Sequence, residues 1–147
     1  MDGITFGTDG WRATLEEFTD GRVRAVAQAV ATHLDGEDVD GAVGIGYDAR
    51  ETSRGFAEEV ARVLCANGRD VVLSDRDCPT PTLAWAIVDR GLAGGVMITA
   101  SHNPPEYNGI KFIPGDGAPA LPTVTESIEA NLAVPDPRPE SAWGAIE

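Results

Sequence analysis

Gly95-Val96-Met97-Ile98-Thr99-Ala100-Ser101-His102-Asn103-Pro104, with Asn108-Gly109-Ile110-Lys111 close behind it, is the stretch on which the fold turns. Its first part is an apolar, β-prone run of the kind that forms a buried strand, predicted over residues 95–99. A polar loop follows, and an apolar return strand is predicted over residues 110–113. Too few residues separate the two runs for a helical crossover, which makes the return strand antiparallel. A polar loop at the end of a buried strand is where open α/β folds build their sites.

Outward from this stretch, strand and helix patterns alternate. Residues 79–81 open a helix that runs through Trp85, Ile87 and Val88 and closes at Gly91. Residues 42–47 and 70–74 read as strands. Between them, Ser53 is the expected N-cap of a helix that turns Phe56, Val60, Val63 and Leu64 inward and ends at Gly68. An earlier helix begins at Thr19, with Val23, Val26, Ala27, Val30 and Leu34 on one buried face. Residues 4–6 are expected to form a short strand before it. After the return strand come a glycine-rich turn at residues 114–119 and a helix over about 123–132. This order predicts an α/β protein, a three-layer α/β/α sandwich with a mixed, mainly parallel sheet. Residues 1–134 are the expected domain; Pro135, Pro137 and Pro139 mark residues 135–147 as a proline-rich interdomain linker or tail.

The polar loop carries the candidate chemistry. Serine is a poor nucleophile until a base or a cation activates it. His102 adjoins Ser101, and Lys111 returns to the loop if the second run pairs beside the first. Cations and amide donors around a phosphate on Ser101 suit phosphoryl transfer. Beside such a phosphate the protonated form of His102 is favoured, which suits a donor or general acid. Taken alone, Ser, Asn and Pro also favour a plain turn. Arg12 follows Thr8-Asp9-Gly10, a turn that can aim its guanidinium at a phosphate; the competing reading pairs it with Asp9 or Asp48. Asp48 and Arg50 are expected to pair and hold the site's shape. His33 closes a helix, where a cation opposes the dipole, and reads as structural.

The chain has 147 residues, 24 acidic and 11 basic, for a net charge of −13. Ten of the basic residues are arginine, and Lys111 is the only lysine. Such a surface repels polyanions, which argues against nucleic acid and anionic membranes as partners. An acidic, lysine-poor surface suits a salt-rich cytoplasm, where self-repulsion is screened within ~3 Å at 1 M salt; a halophilic archaeon is the expected source. Suppressed lysine use gives weight to the one lysine retained. No apolar run approaches the ~20 residues of a membrane span, and the N-terminus shows no basic-then-apolar leader pattern, so a cytoplasmic location is expected. Cys65 and Cys78 form no metal or disulfide pattern, and Cys65 reads as packing. Trp11, Trp85 and Trp143 read as packing residues, because the basic groove that base stacking requires is missing.

Thr99-Ala100-Ser101-His102-Asn103-Pro104 with Asn108-Gly109-Ile110-Lys111 resembles the phosphoserine loop of the α-D-phosphohexomutases: phosphoglucomutases, phosphomannomutases and phosphoglucosamine mutases. Phe6-Gly7-Thr8-Asp9-Gly10-Trp11-Arg12 resembles that family's N-terminal signature, and Gly46-Tyr47-Asp48-Ala49-Arg50 with Ser53 its Gly-x-Asp-x-Arg segment. The resemblance implies a phosphate carried by Ser101, with Mg²⁺ bound through it. It implies transfer to a hexose monophosphate through a hexose 1,6-bisphosphate, which also serves as activator. By the same match Arg12, His102 and Lys111 stabilise charge and move protons, and Thr99 and Asn103 join Arg12 and Lys111 in binding phosphate.

The resemblance covers only the family's first domain. An Asp-Gly-Asp-Gly-Asp metal loop is missing, since Asp75-Arg76-Asp77 lacks the glycines; so are the Gly-Glu-x-Ser-Gly sugar loop and the Ser-Gly-Thr phosphate loop. The expectation is one domain of a longer enzyme, with the other metal ligands and the sugar site in domains supplied in cis. Alone it is expected to be weakly active or inactive, because water competes for the phosphoserine in an open cleft. Which hexose is used stays open. The alternative is a stand-alone phosphosugar-binding or regulatory domain without catalysis. A serine hydrolase is disfavoured by the missing Gly-x-Ser-x-Gly.

Overall fold

A computed structural model describes residues 3–7 and 10–147. Among these residues the elements run β1 (Gly10–Thr14), α1 (Asp20–Gly36), β2 (Val43–Tyr47), α2 (Ser53–Ala66), β3 (Val71–Leu73), α3 (Thr80–Arg90), β4 (Gly94–Ile98), β5 (Tyr107–Pro114) and α4 (Pro122–Ala130). The sheet order is β1-β5-β4-β2-β3. β2 pairs in parallel with β3 and β4, while β5 is antiparallel to both β4 and β1. Strand β5 alone therefore opposes the rest, as its short link to β4 requires.

Each face of the sheet is covered. Helices α1, α2 and α4 pack on one face over the main core, where Val96, Ile98, Ile110 and Phe112 meet Val26, Val30 and Val60. Alanines 25, 27, 29 and 31 of α1 are all buried, so this helix lies close to its neighbours. Trp11 stacks on Phe18 at 4.8 Å, and Phe18 meets Phe56 edge-on at 4.8 Å, joining β1 to α2. On the other face, Leu83 and Ile87 of α3 pack on Met97 and Ile113. The result is the expected α/β/α sandwich. Among the described residues no helix is long and apolar enough to cross a membrane.

The N-terminal expectation is corrected. Residues 4–6 form no strand: Ile4 is buried, but Phe6 N–H donates to Glu129 Oε2 (3.2 Å) instead of to a ladder. The strand begins at Gly10, inside what reads in sequence as a glycine-rich turn. Thr19 does cap α1, its Oγ1 accepting from Arg22 N–H at 3.3 Å. Ser53 does not cap α2. It is the helix's first residue, fully buried, and its Oγ donates to Asp48 Oδ1 at 2.5 Å.

His33 is structural, but not as a cation. It is buried at the end of α1, hydrogen-bonded through Nδ1 to Ser127 Oγ of α4 at 2.8 Å. Desolvation there pushes its pKa down, with Glu37 partly opposing, so the neutral ring is favoured. Trp85 and Val88 of α3 are 66% and 58% exposed, and Trp143 is 44% exposed, so of the three tryptophans only Trp11 is a core residue. The helical stripe of α3 is narrower than its apolar content suggests, because the sheet beneath it takes only Leu83 and Ile87.

Residues 135–147, expected as a linker or tail, lie packed along α2 and β3. Asp136 N–H donates to Gln28 Oε1 at 2.9 Å, and Arg138 N–H to the Ala66 carbonyl at 2.8 Å. Cys65, half-buried, donates its S–H to the Gly144 carbonyl at 2.8 Å. Ile146 then bridges Val71 in parallel at the open edge of β3.

Candidate active site

Because β1, β2 and β4 share a direction, their carboxyl ends lie together, beside the start of β5. The β4–β5 connection rises from that edge and carries Ser101, His102 and Asn103. Ser101 and His102 are exposed, Asn103 is half-buried and Thr99 is buried.

Two glycines make room for two cations. In the β1–β5 register Arg12 stands opposite Gly109, and Lys111 opposite Gly10. Paired residues share a sheet face, so Arg12 and Lys111 project on the same side. A β-carbon on Gly10 would collide with the Ile110 carbonyl oxygen and stand 2.7 Å from Lys111 Cβ. A cleft of about 390 Å³ opens there, with Arg12, Thr99 and Lys111 in its walls. Lys111 reaches it from the strand between β1 and β4, the placement its sequence position anticipated. Ser101 and His102 stand on the loop beside this cleft, not in its walls. Arg12 Nη1 donates to Asn103 Oδ1 at 3.3 Å, tying the cleft to the loop. Asp48 is taken by Arg50, which sets aside the Arg12–Asp48 pairing, while Thr8 and Asp9 lie outside the described residues.

Ser101 has φ +54°, the left-handed region that a residue with a β-carbon seldom adopts. Its N–H donates to Thr99 Oγ1 at 3.0 Å, and Asn103 N–H donates to the Ala100 carbonyl at 3.0 Å. Behind the loop stands a polar network. Asp48 Oδ1 accepts from Arg50 N–H (3.0 Å) and Ser53 Oγ, and Asn108 Nδ2 donates to Ser53 Oγ (3.1 Å) and Thr52 Oγ1 (2.9 Å). Asn108 Oδ1 accepts from Gly109 N–H at 2.8 Å. The Asp48–Arg50 pair is present as expected, Nε to Oδ2 at 3.2 Å. Sequence reasoning assigned nothing to Asn108. The signal was there: an asparagine opening an apolar strand must satisfy its amide in the interior.

Chemically, the edge offers an exposed hydroxyl on a loop next to a cleft whose walls include a guanidinium and an ammonium. Mg²⁺ is a different matter. Among the described residues no group of three or more His, Cys, Asp or Glu side chains stands together that could hold a metal ion, and such an ion is commonly held through phosphate oxygens and water as well as carboxylates.

Comparison with known proteins agrees with this fold. The family described as "Phosphoglucomutase/phosphomannomutase, alpha/beta/alpha domain I" matches residues 3–138. A phosphoglucomutase of Staphylococcus saprophyticus is 39% identical over 132 residues, covering 85% of this chain and 23% of that protein. A Methanopyrus kandleri protein described as a phosphoglucosamine mutase is 42% identical over 128 residues, covering 86% of this chain and 27% of its own. A solved structure from Thermus thermophilus, assigned as a phosphomannomutase, superposes with a TM-score of 0.88 at 38% identity, over 98% of this chain and 32% of that one. The chain thus spans about a quarter to a third of the length of these proteins. With residues 3–138 matched by the family and the fold superposing on a solved relative, the chain belongs to the phosphoglucomutase/phosphomannomutase family, as domain I.

Proposed function

We propose that this chain is the phosphoserine-bearing part of a phosphohexomutase that interconverts hexose 1-phosphate and hexose 6-phosphate. The observation that carries the reading is Ser101, held at φ +54° on a loop that Asn103 ties to Arg12 and that borders the cleft lined by Arg12, Thr99 and Lys111. Phosphorylated Ser101 Oγ gives its phosphoryl group to a free hydroxyl of the hexose phosphate. The bond from phosphorus to Oγ breaks, the bond to the sugar oxygen forms, and the sugar hydroxyl proton is passed on to Oγ, which is left as the serine hydroxyl. The bisphosphate then returns its other phosphoryl group to Ser101. Arg12 and Lys111 offset the charge on the moving group, Thr99 and Asn103 shape its seat, and His102 is the proton carrier nearest Oγ in sequence. Mg²⁺ would be held through the serine phosphate, with its remaining ligands and the sugar site supplied from outside this chain. The hexose phosphate is the substrate partner, the location is cytoplasmic, and the acidic surface reflects a salt-rich cell.

The test is phosphate uptake from glucose 1,6-bisphosphate, read by intact mass and mapped by peptide. Uptake confined to Ser101, and abolished in Ser101→Ala, is the expected result. Hexose phosphate binding that survives Ser101→Ala, with no uptake in the parent chain, would instead mark a binding domain. Mutase turnover by this chain alone at the rate of an intact enzyme would overturn the assignment of the missing parts.

A further inference from the structure

Arg50 has five N–H donors, and the structure gives each of them an acceptor. Nε–H donates to Asp48 Oδ2 (3.2 Å), Nη1 to the carbonyls of Pro104 (2.8 Å) and Tyr107 (3.2 Å), and Nη2 to those of Ser101 (3.2 Å) and Asn103 (2.6 Å). The side chain is only 15% exposed. An arginine two residues after an aspartate at the edge of a phosphate site invites reading as an anion ligand. A guanidinium with all five hydrogens engaged by other acceptors has none to offer a phosphate.

What those bonds do is shape the loop. Four carbonyls between positions 101 and 107 converge on one planar group. The peptide before Ser101 is held through its N–H on Thr99 Oγ1, and the peptide after it through the Ser101 carbonyl on Arg50. With both neighbouring peptide planes fixed, Ser101 stays at φ +54° although its β-carbon disfavours that region. Arg50 is itself oriented by Asp48, which Ser53 and Arg50 N–H hold in turn.

We infer that Arg50 is the positioning residue of the serine loop, moulding residues 101–107 from behind and aiming Ser101 Oγ, without contact to the phosphate. Its importance to phosphoryl transfer rests on the function proposed above; its role as a mould does not. Lysine cannot substitute: it keeps the charge but has three donors on one nitrogen, against five acceptors spread around a plane.

Two measurements decide this. The first is amide hydrogen exchange in the wild-type chain and in Arg50→Lys. Protection at Ser101, Asn103 and Tyr107 should fall by about tenfold or more, with β2 and α1 changed by less than about twofold. Unchanged loop protection, or an equal loss throughout the domain, overturns the inference. The second uses the wild-type chain and so does not depend on a variant folding. Inorganic phosphate is titrated while the arginine Nε–H resonances are followed by NMR. Arg12 should shift and saturate while Arg50 stays in place, and a saturating shift at Arg50 marks it as an anion ligand and overturns the inference. Phosphate uptake from glucose 1,6-bisphosphate is recorded in parallel. If the wild type takes up none, the mutase reading falls, and the exchange and titration results still decide Arg50. If uptake occurs, Arg50→Lys should lower the rate at saturating donor by about tenfold or more and leave the half-saturating concentration within about twofold.

Discussion

The Arg12 side chain crosses Gly109 so closely that a β-carbon there would stand 2.9 Å from Arg12 Cγ and 2.5 Å from the Thr99 carbonyl oxygen. The absence of a side chain at Gly109 is thus what lets Arg12 enter the cleft. Gly109→Ala must displace both the Thr99 backbone and the arginine side chain. It should destabilise the domain by about 1–3 kcal/mol in urea unfolding and weaken hexose phosphate binding. Retention of wild-type stability would mean that the strands separate without penalty.

Asn108 is fully buried and uses both ends of its amide. Asn108→Ala strands Gly109 N–H and removes a donor from Ser53, at a cost of about 2 kcal/mol. Asn108→Asp should be worse, since it buries a carboxylate in the network that already contains Asp48. Urea midpoints of the two variants, ranked against wild type, check both the size and the order.

Ser101→Gly and Ser101→Ala both remove the hydroxyl, so both should abolish phosphate uptake. They differ in backbone. At φ +54° glycine escapes the left-handed penalty and alanine keeps it. The glycine variant should therefore be the more stable of the two by about 1 kcal/mol, net of glycine's greater unfolded entropy. Equal melting temperatures would show that the loop relaxes once the hydroxyl is gone.

His33 makes stability depend on pH in a defined direction. Burial lowers its folded pKa below the ordinary value of 6.5, so the unfolded chain binds the proton more readily. The contribution of the neutral ring is fully present above the unfolded value and is lost as pH falls through the folded one. Unfolding free energy should therefore decline as pH drops below about 6.5. In His33→Gln that part of the slope should vanish, which paired pH series of urea unfolding will show.

A net charge of −13 on 147 residues sets the salt response. Raising salt to the molar range shortens the screening length to about 3 Å and relieves self-repulsion in the compact state. The melting temperature should climb between dilute buffer and 1 M KCl. A flat response would remove the argument for a salt-rich cell.

Most of this molecule was legible before it was folded, for reasons that are local. Helices α1 and α2 follow from apolar spacing, and the reversal of β5 from a connection too short to cross over. The serine loop follows from polar residues placed between two buried runs. Trp85 misled because a helix on a sheet buries only the residues that meet it, and hydrophobicity does not say which face meets. The strand at Gly10–Thr14 was hidden because glycines in sequence suggest a turn, whereas here they permit close approach.

The sequence by itself determined the layers, the loop and the chemistry it can carry, because these depend on residue type and spacing along the chain. The sequence also offered the Asp48–Arg50 pair as what holds the site's shape, but only the tertiary structure decided which groups Arg50 grips. Arg50 lies 51 positions before Ser101 and 54 before Pro104. The β2–β4 pairing brings them together, and hydrogen bonds to backbone carbonyls leave no trace in the identity of the residues that accept them.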